Sequence, residues 1–109
     1  MRTTPSLDGW DIGAVTQAEW IPWGSTGDAR AKVLAGGDGY TVALVEADAG
    51  YTGTPHEHEH TEMLYVVAGR LRNQGRLMEP GDAYVASAGS THEDFEAEVP
   101  STYLSIFRL

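Results

Sequence analysis

The sequence predicts an all-β fold, a closed or nearly closed jelly-roll barrel of antiparallel sheet. Three observations predict it. Glycines are dense, 13 in 109 residues, and they cut the chain into short pieces. The pieces between them have strand character and follow one another at close spacing, as in sandwiches and barrels. Only residues 15–20 could pass for a helical turn, and Pro22 ends that stretch soon after.

In chain order, the expected strands cover residues 31–34, 40–46, 56–60, 62–67, 70–72, 76–78, 83–86, 92–98 and 102–108. Before them, Trp20 and Trp23 flank Pro22 and are expected to pack a loop over one end of the barrel. Asn73-Gln74-Gly75, between two short runs, reads as a tight hairpin turn in which Gly75 takes positive φ. No internal repeat, low-complexity tract or interdomain linker interrupts the chain.

Bulk composition narrows the function classes. At 109 residues with 41% hydrophobic content, the chain can bury one core. The formal charge is -9, from 16 acids against 7 bases, and Lys32 is the single lysine. No basic patch is available to track phosphates or an anionic membrane surface, so neither nucleic acid nor membrane is expected as a partner. There are no cysteines, so any metal must be held by nitrogen and oxygen. Residues 1–9 are polar and lack the apolar stretch of a signal peptide, which makes the cytoplasm the expected location.

The chemistry concentrates in PHEHEHTE, which holds three of the 4 histidines. On a strand, residues two apart share a face and lie about 6.6 Å apart, so His56 and His58 can lean onto one ion. Glu57 and Glu59 point the opposite way and read as solvated. A turn around residues 59–61 is needed for Glu62 to reach the same ion. Glu62 then opens a strand whose inward face carries Leu64 and Val66. The remaining histidine, His92, follows a glycine turn at Gly89 and can complete the set. Two histidines, a carboxylate and a distant histidine suit zinc, iron(II), manganese or nickel. On residue chemistry alone, a His-x-His is also compatible with a solvated surface feature that binds metal by accident.

At this point the spacing resembles a family pattern. Gly50, five residues, His56, one, His58, three, Glu62, six, Gly69 is similar to the first cupin motif without a gap. Gly81, five residues, Ser87, one, Gly89, two, His92 resembles the second. It departs from the family's pattern at Ser87, where proline is usual, and at Glu96, where asparagine is usual. The lead-in AEWIPWGSTGDARAKVLAGGDGYTVALVEADAGY resembles a compact cupin subgroup. That subgroup includes the metal-binding domains of zinc anti-sigma factors and small diketone- or hydroxyketone-cleaving dioxygenases.

The resemblance implies one cupin domain over residues 20–109, with residues 1–19 as an N-terminal segment packing on it. It implies His56, His58, Glu62 and His92 as ligands of one divalent transition metal per chain, with His60 a loop residue near the mouth. It also implies a homodimer through an edge strand.

Counting strand parity from His92, Asp94 and Glu96 are expected to face the interior as candidate acids or bases. The competing reading leaves both in solvent, because EDFEAEVP is acidic on both faces. Tyr40, Tyr51, Tyr84, Tyr103 and Phe107 could line a pocket for a small molecule or simply form the core. The expected function is a metal-dependent enzyme on a small organic molecule, with dioxygenase-like C–C cleavage of a diketone or hydroxyketone. The alternatives are a Lewis-acid isomerase or cyclase, and a non-catalytic metal or small-ligand sensor module.

Overall fold

The structure, a computed structural model, describes residues 8–108. The part of the expected N-terminal segment at residues 1–7 lies outside the described residues. After a single 3-10 turn, Val15–Gln17, the strands are β1 (Ile21–Pro22), β2 (Ala29–Gly37), β3 (Tyr40–Ala47), β4 (His56–Glu57) and β5 (Glu62–Ala68). They continue with β6 (Leu71–Asn73), β7 (Arg76–Met78), β8 (Ala83–Ala86), β9 (Thr91–His92), β10 (Phe95–Ala97) and β11 (Ser101–Arg108). All pairs are antiparallel. A six-stranded sheet runs β1-β2-β3-β11-β5-β8, with a three-stranded sheet β10-β6-β7 and the pair β4-β9. The result is the jelly roll that the glycine-punctuated strands predict. Among the described residues, no helix is long and apolar enough to cross a membrane.

Alternation builds the core. Ala43, Val45 and Ala47 on β3 are buried, as are Leu64 and Val66 on β5 and Ser101, Tyr103 and Ser105 on β11. These side chains share the inward face of the large sheet because residues two apart point the same way. The short strands opposite contribute Leu71, Met78, Phe95 and Ala97. Many inward positions on β2, β3 and β11 are small: Ala29, Ala31, Ala43, Ala47, Ser101 and Ser105. They leave room that aromatic rings and a cavity occupy.

Two hairpins close with both turn residues at positive φ: Asp38-Gly39 (54° and 81°) and Gln74-Gly75 (52° and 77°). This geometry matches the right-handed twist of the flanking strands. Gly75 behaves as its sequence context predicts, but Gln74 also enters the left-handed region.

Several boundaries differ from the sequence reading, each for a local reason. β2 runs on to Gly37 because a bulge between Val33 and Ala35 restores its pairing with β3. The unexpected β1 pairs Pro22 with Arg30 at the edge of the sheet, where a residue lacking N–H is tolerated. The strand expected over 56–60 stops at Glu57, and the chain bends at Glu59 and His60. The strand expected over 92–98 splits into β9 and β10, since the amides of Glu93 and Asp94 donate to the Gln74 side chain. That split shifts parity. Phe95 and Ala97 take the buried positions, so Glu96 points outward, against the interior placement expected from His92.

At the N-terminal side, Gly36 N donates to Asp11 Oδ2 and Lys32 Nζ donates to the Val15 carbonyl, each at 2.8 Å. Trp20 is exposed beneath Lys32, whereas Trp23 is partly buried against Phe107. The two tryptophans therefore do not share one role.

Gly69 offers a test of this packing. It sits at φ 88°, and a Cβ there would come within 2.4 Å of Ser101 Oγ and 2.5 Å of the Pro100 carbonyl. Gly81, at φ 96°, has open space around it. Gly69→Ala is expected to cost about 3 kcal/mol, combining left-handed strain with overpacking. Gly81→Ala should cost only about 1–2 kcal/mol of backbone strain. Urea unfolding of the two variants measures the difference.

Candidate metal centre

The first and second motifs meet where β4 pairs with β9, with His56 opposite His92. Just beyond, His58 N donates to the Ser90 carbonyl and Gly89 N donates to the His58 carbonyl, each at 2.8 Å. The pairing brings three imidazoles together, tilted or edge-on to one another. Ring centroids of His56 and His58 are 4.8 Å apart, those of His56 and His92 5.5 Å, and those of His58 and His92 5.4 Å. One nitrogen from each lies within 4.8 Å of the others.

Each ring is oriented by an oxygen. His56 Nδ1 donates to the Thr54 carbonyl at 2.7 Å. His58 Nδ1 faces the Ser90 carbonyl at 3.2 Å and Ser90 Oγ at 3.1 Å. His92 Nε2 donates to Asn73 Oδ1 at 2.6 Å. A ring that gives one N–H to an oxygen keeps its other nitrogen as a lone-pair donor.

For His58 that donor is Nε2, which is buried without a hydrogen-bond partner. A buried polar atom left unpaired costs about 1–3 kcal/mol, so its place beside two other imidazoles calls for an occupant. A divalent ion fits: the donor set is nitrogen-rich, and His92 is held neutral because burial lowers its pKa, with His58 and His56 adding to the effect and Glu62 opposing it.

Glu62 stands beside the three-histidine group. Its Oε2 is 3.7 Å from His58 Nε2, too far for a hydrogen bond, and accepts one from Tyr84 OH at 2.7 Å. Burial, and then the Glu62 charge, push the Tyr84 phenol well above its ordinary range, so it remains a proton donor. His60 is exposed in the bend, outside the group.

A cavity of about 230 Å³ opens onto His56, His92 and Glu62. Of the aromatics expected to line a pocket, Tyr51, Tyr84 and Tyr103 do so. Phe107 instead packs on Trp23, and Tyr40 lies under Arg108. Burial raises the Tyr103 pKa most, with Tyr51 adding to it, and a hydrogen bond from Trp23 acts the other way. Asp94 reaches the cavity mouth, while Glu96 is ion-paired with Arg72 at 2.6 Å.

Sequence reasoning missed Asn73, Ser90 and Gln74. The first and last were visible only as turn residues. Gln74 spends its strained φ of 52° on a clamp around His92. Its Oε1 accepts from Glu93 N at 2.7 Å and Asp94 N at 3.0 Å, its Nε2 donates to the Thr91 carbonyl at 3.2 Å, and its own N–H donates to the Asp94 carbonyl at 2.8 Å.

With this geometry in hand, the chain can be set beside known proteins. Residues 11–108 match the ChrR cupin-like domain family. The chain is 30% identical over 92 residues to the pectin degradation protein KdgF of Dickeya dadantii (strain 3937), covering 79% of this chain and 84% of that protein. The solved structure of KdgF from Halomonas sp. superposes with a TM-score of 0.77 at 28% identity, covering 89% of this chain and 91% of that one. A putative acetylacetone dioxygenase from Methylibium petroleiphilum PM1 shares the fold, with a TM-score of 0.80 at 20% identity over 99% of this chain and 81% of that one.

The clamp yields a prediction. Gln74→Gly removes about 1–2 kcal/mol of left-handed strain together with the side-chain bonds around His92. Metal affinity, measured by chelator competition, should fall about tenfold while the metal-free thermal midpoint shifts little, because the released strain and the lost hydrogen bonds offset one another. An unchanged affinity would mean that Gln74 serves the turn alone.

Proposed function

The chain belongs to the ChrR cupin-like domain family, and from that premise we propose that it is a metal-dependent enzyme acting on a small oxygen-bearing organic molecule. The observation that carries this reading is the buried, unpartnered His58 Nε2, grouped with His56 and His92 beside an open cavity. His56, His58 and His92 would hold the ion, with Glu62 as the fourth group within reach. A divalent ion bound there supplies a Lewis acid that polarises a substrate oxygen.

The chain's own residues supply the proton handling. Glu62 is an acceptor facing the cavity, and the Tyr84 hydroxyl orients its carboxylate. Tyr84 in turn stays protonated and can return a hydrogen bond to a developing charge on Glu62 or substrate. Asp94, at the mouth, is a second candidate acid or base, while Glu96 has no path to the cavity as long as Arg72 holds it. Trp23, Tyr51 and Phe95 make part of the lining apolar.

A cavity near 230 Å³ lies below the usual range for drug-sized ligands, which favours a monomer-sized molecule over a polymer chain. The likeness to a pectin degradation protein supports an oxygen-rich, carbohydrate-derived substrate, and on such a substrate a Lewis-acid ion would serve the isomerase reading. The three-imidazole group favours a second reading, oxygen-dependent C–C cleavage of a diketone or hydroxyketone. Such a group with one carboxylate would hold an ion able to take a further ligand through two oxygens.

Elemental analysis of untagged protein should find about one transition metal per chain. His58→Ala and His92→Ala should each weaken metal binding by more than the roughly 10–100-fold typical of losing an outer partner. Turnover of a panel of hydroxyketones, diketones and sugar-derived aldehydes should persist without oxygen. Turnover that stops under anaerobic conditions, with matching oxygen uptake, would replace the isomerase reading by the oxygenase one.

A further inference from the structure

The large sheet is apolar on both faces. Its inward positions build the core and one wall of the cavity. A sheet whose other face meets water ordinarily alternates to polar residues there. Here the outward positions form two unbroken apolar rows across neighbouring strands. In the first, Leu44 pairs with Leu104, and Leu104 with Tyr65. In the second, Val42 pairs with Ile106, Ile106 with Met63, and Met63 with Val85. Val67 extends the same face along β5 by strand parity. Tyr65, Val67 and Val85 are 46%, 45% and 66% exposed. Single exposed apolar residues are ordinary on a protein surface, but contiguous rows of them mark a contact surface.

Charge separates this face from the rest of the molecule. The chain's formal charge is -9. Among the described residues, the acid on the outward positions of β2, β3, β11, β5 and β8 is Glu46, and Arg30 holds it at 3.3 Å at one end of the rows. Lys32 stands at the β2 margin, 4.9 Å over the Trp20 ring. The face thus carries none of the chain's excess negative charge, whereas two copies meeting on most other surfaces would repel.

We infer that this face is where two copies of the chain pack, sheet on sheet. β11 is the middle of the five strands, so a two-fold axis over it sets Leu104 and Ile106 against the same rows of the second copy. The rows need no complementary charge, because the same neutral surface serves both copies. Five strands and three outward positions per strand span about 24 by 20 Å, or roughly 500 Å² per copy and about 1,000 Å² in all. That is the lower limit of a specific interface, about 1,000 Å², so the dimer should be reversible on dilution.

This surface differs from the edge-strand dimer that the sequence resemblance implies. The edges offer less: β1 is two residues long and ends on Pro22, and β8 has four residues. Docking on the outward face also leaves the cavity clear, since Leu64, Tyr84, Tyr103 and Ser105 line it from the inward side. The inference therefore stands apart from the metal-centre reading.

Sedimentation velocity of the full chain, over a range of micromolar concentrations, tests it. Wild-type protein should sediment as a dimer that dissociates on dilution, and salt near 1 M should preserve or tighten the dimer by screening the like charges. Tyr65→Lys and Leu104→Lys should each weaken dimerisation by at least about tenfold, with far-UV circular dichroism unchanged. If Leu104→Lys does not fold, Val85→Lys, at an exposed position, takes its place. Leu77→Lys is the control, since Leu77 is 59% exposed on β7 of the other sheet, and it should leave the dimer unaltered.

Tyr65 and Leu104 lie on interior strands, so a dimer built by edge pairing would survive both substitutions and overturn the inference. Loss of the dimer in Leu77→Lys, or its dissociation in high salt, would overturn it as well. A wild-type chain that stays monomeric throughout would do the same and leave the face to a partner of another kind.

Discussion

The antiparallel contact of β4 with β9 is the constraint on which the rest of the site depends. Each strand is two residues long, and the register places His56 against His92. Strands this short do not hold together unaided in water. The contact persists because the chain on either side is tied down: His58 and Gly89 exchange backbone bonds across it, and the Gln74 hairpin tip grips residues 91–94. The buried His58 Nε2 is the cost of that arrangement, about 1–3 kcal/mol until something ligates it. An ion held by this group would therefore add to stability, since a ligand that binds only the folded state stabilises it.

The barrel around this contact gives up packing for space. Alanines and serines on the inward faces of β2, β3 and β11 leave volume that a larger aliphatic residue would fill. Aromatic rings take part of it. Phe95 touches Tyr51, Tyr103 and His92, linking the apolar wall to the imidazole group. The remainder is the cavity. Buried phenols at its edge stay protonated and act as donors or neutral acceptors, and Glu62 takes the Tyr84 hydrogen bond on the same wall.

Charge is sorted by the same architecture. On the outer side of the three-stranded sheet, Arg70 and Arg72 neutralise Glu96 and Glu98, in pairs exposed enough to add little stability. On the cavity side Asp94 shares the same Arg72 at 3.6 Å, and Glu62 is held by the Tyr84 hydroxyl. Among the described residues, no lysine or arginine lines the cavity, and these arginines lie on the outer surface.

Much of this was legible from local pattern. Glycine spacing and alternation marked most strands, because turn chemistry and side-chain parity are properties of neighbouring residues. Strand parity paired His56 with His58, and the resemblance to the cupin pattern set Glu62 and His92 beside them. The structure groups the three imidazoles, with Glu62 next to His58. Parity failed at Glu96, because the Gln74 side chain captured two amides that a continuous strand would have used.

The oxygens that orient each imidazole lay beyond reach for a related reason. Asn73 meets His92 across 19 residues and Ser90 meets His58 across 32, through a sheet register that no local rule encodes. The same holds for the Tyr84 hydroxyl on Glu62 and for the approach of Arg72 to Asp94. The sequence by itself determined the strands and the histidines. Tertiary structure decided which nitrogen of each ring is free, which carboxylate faces inward and what lines the cavity, because those depend on contacts between distant strands.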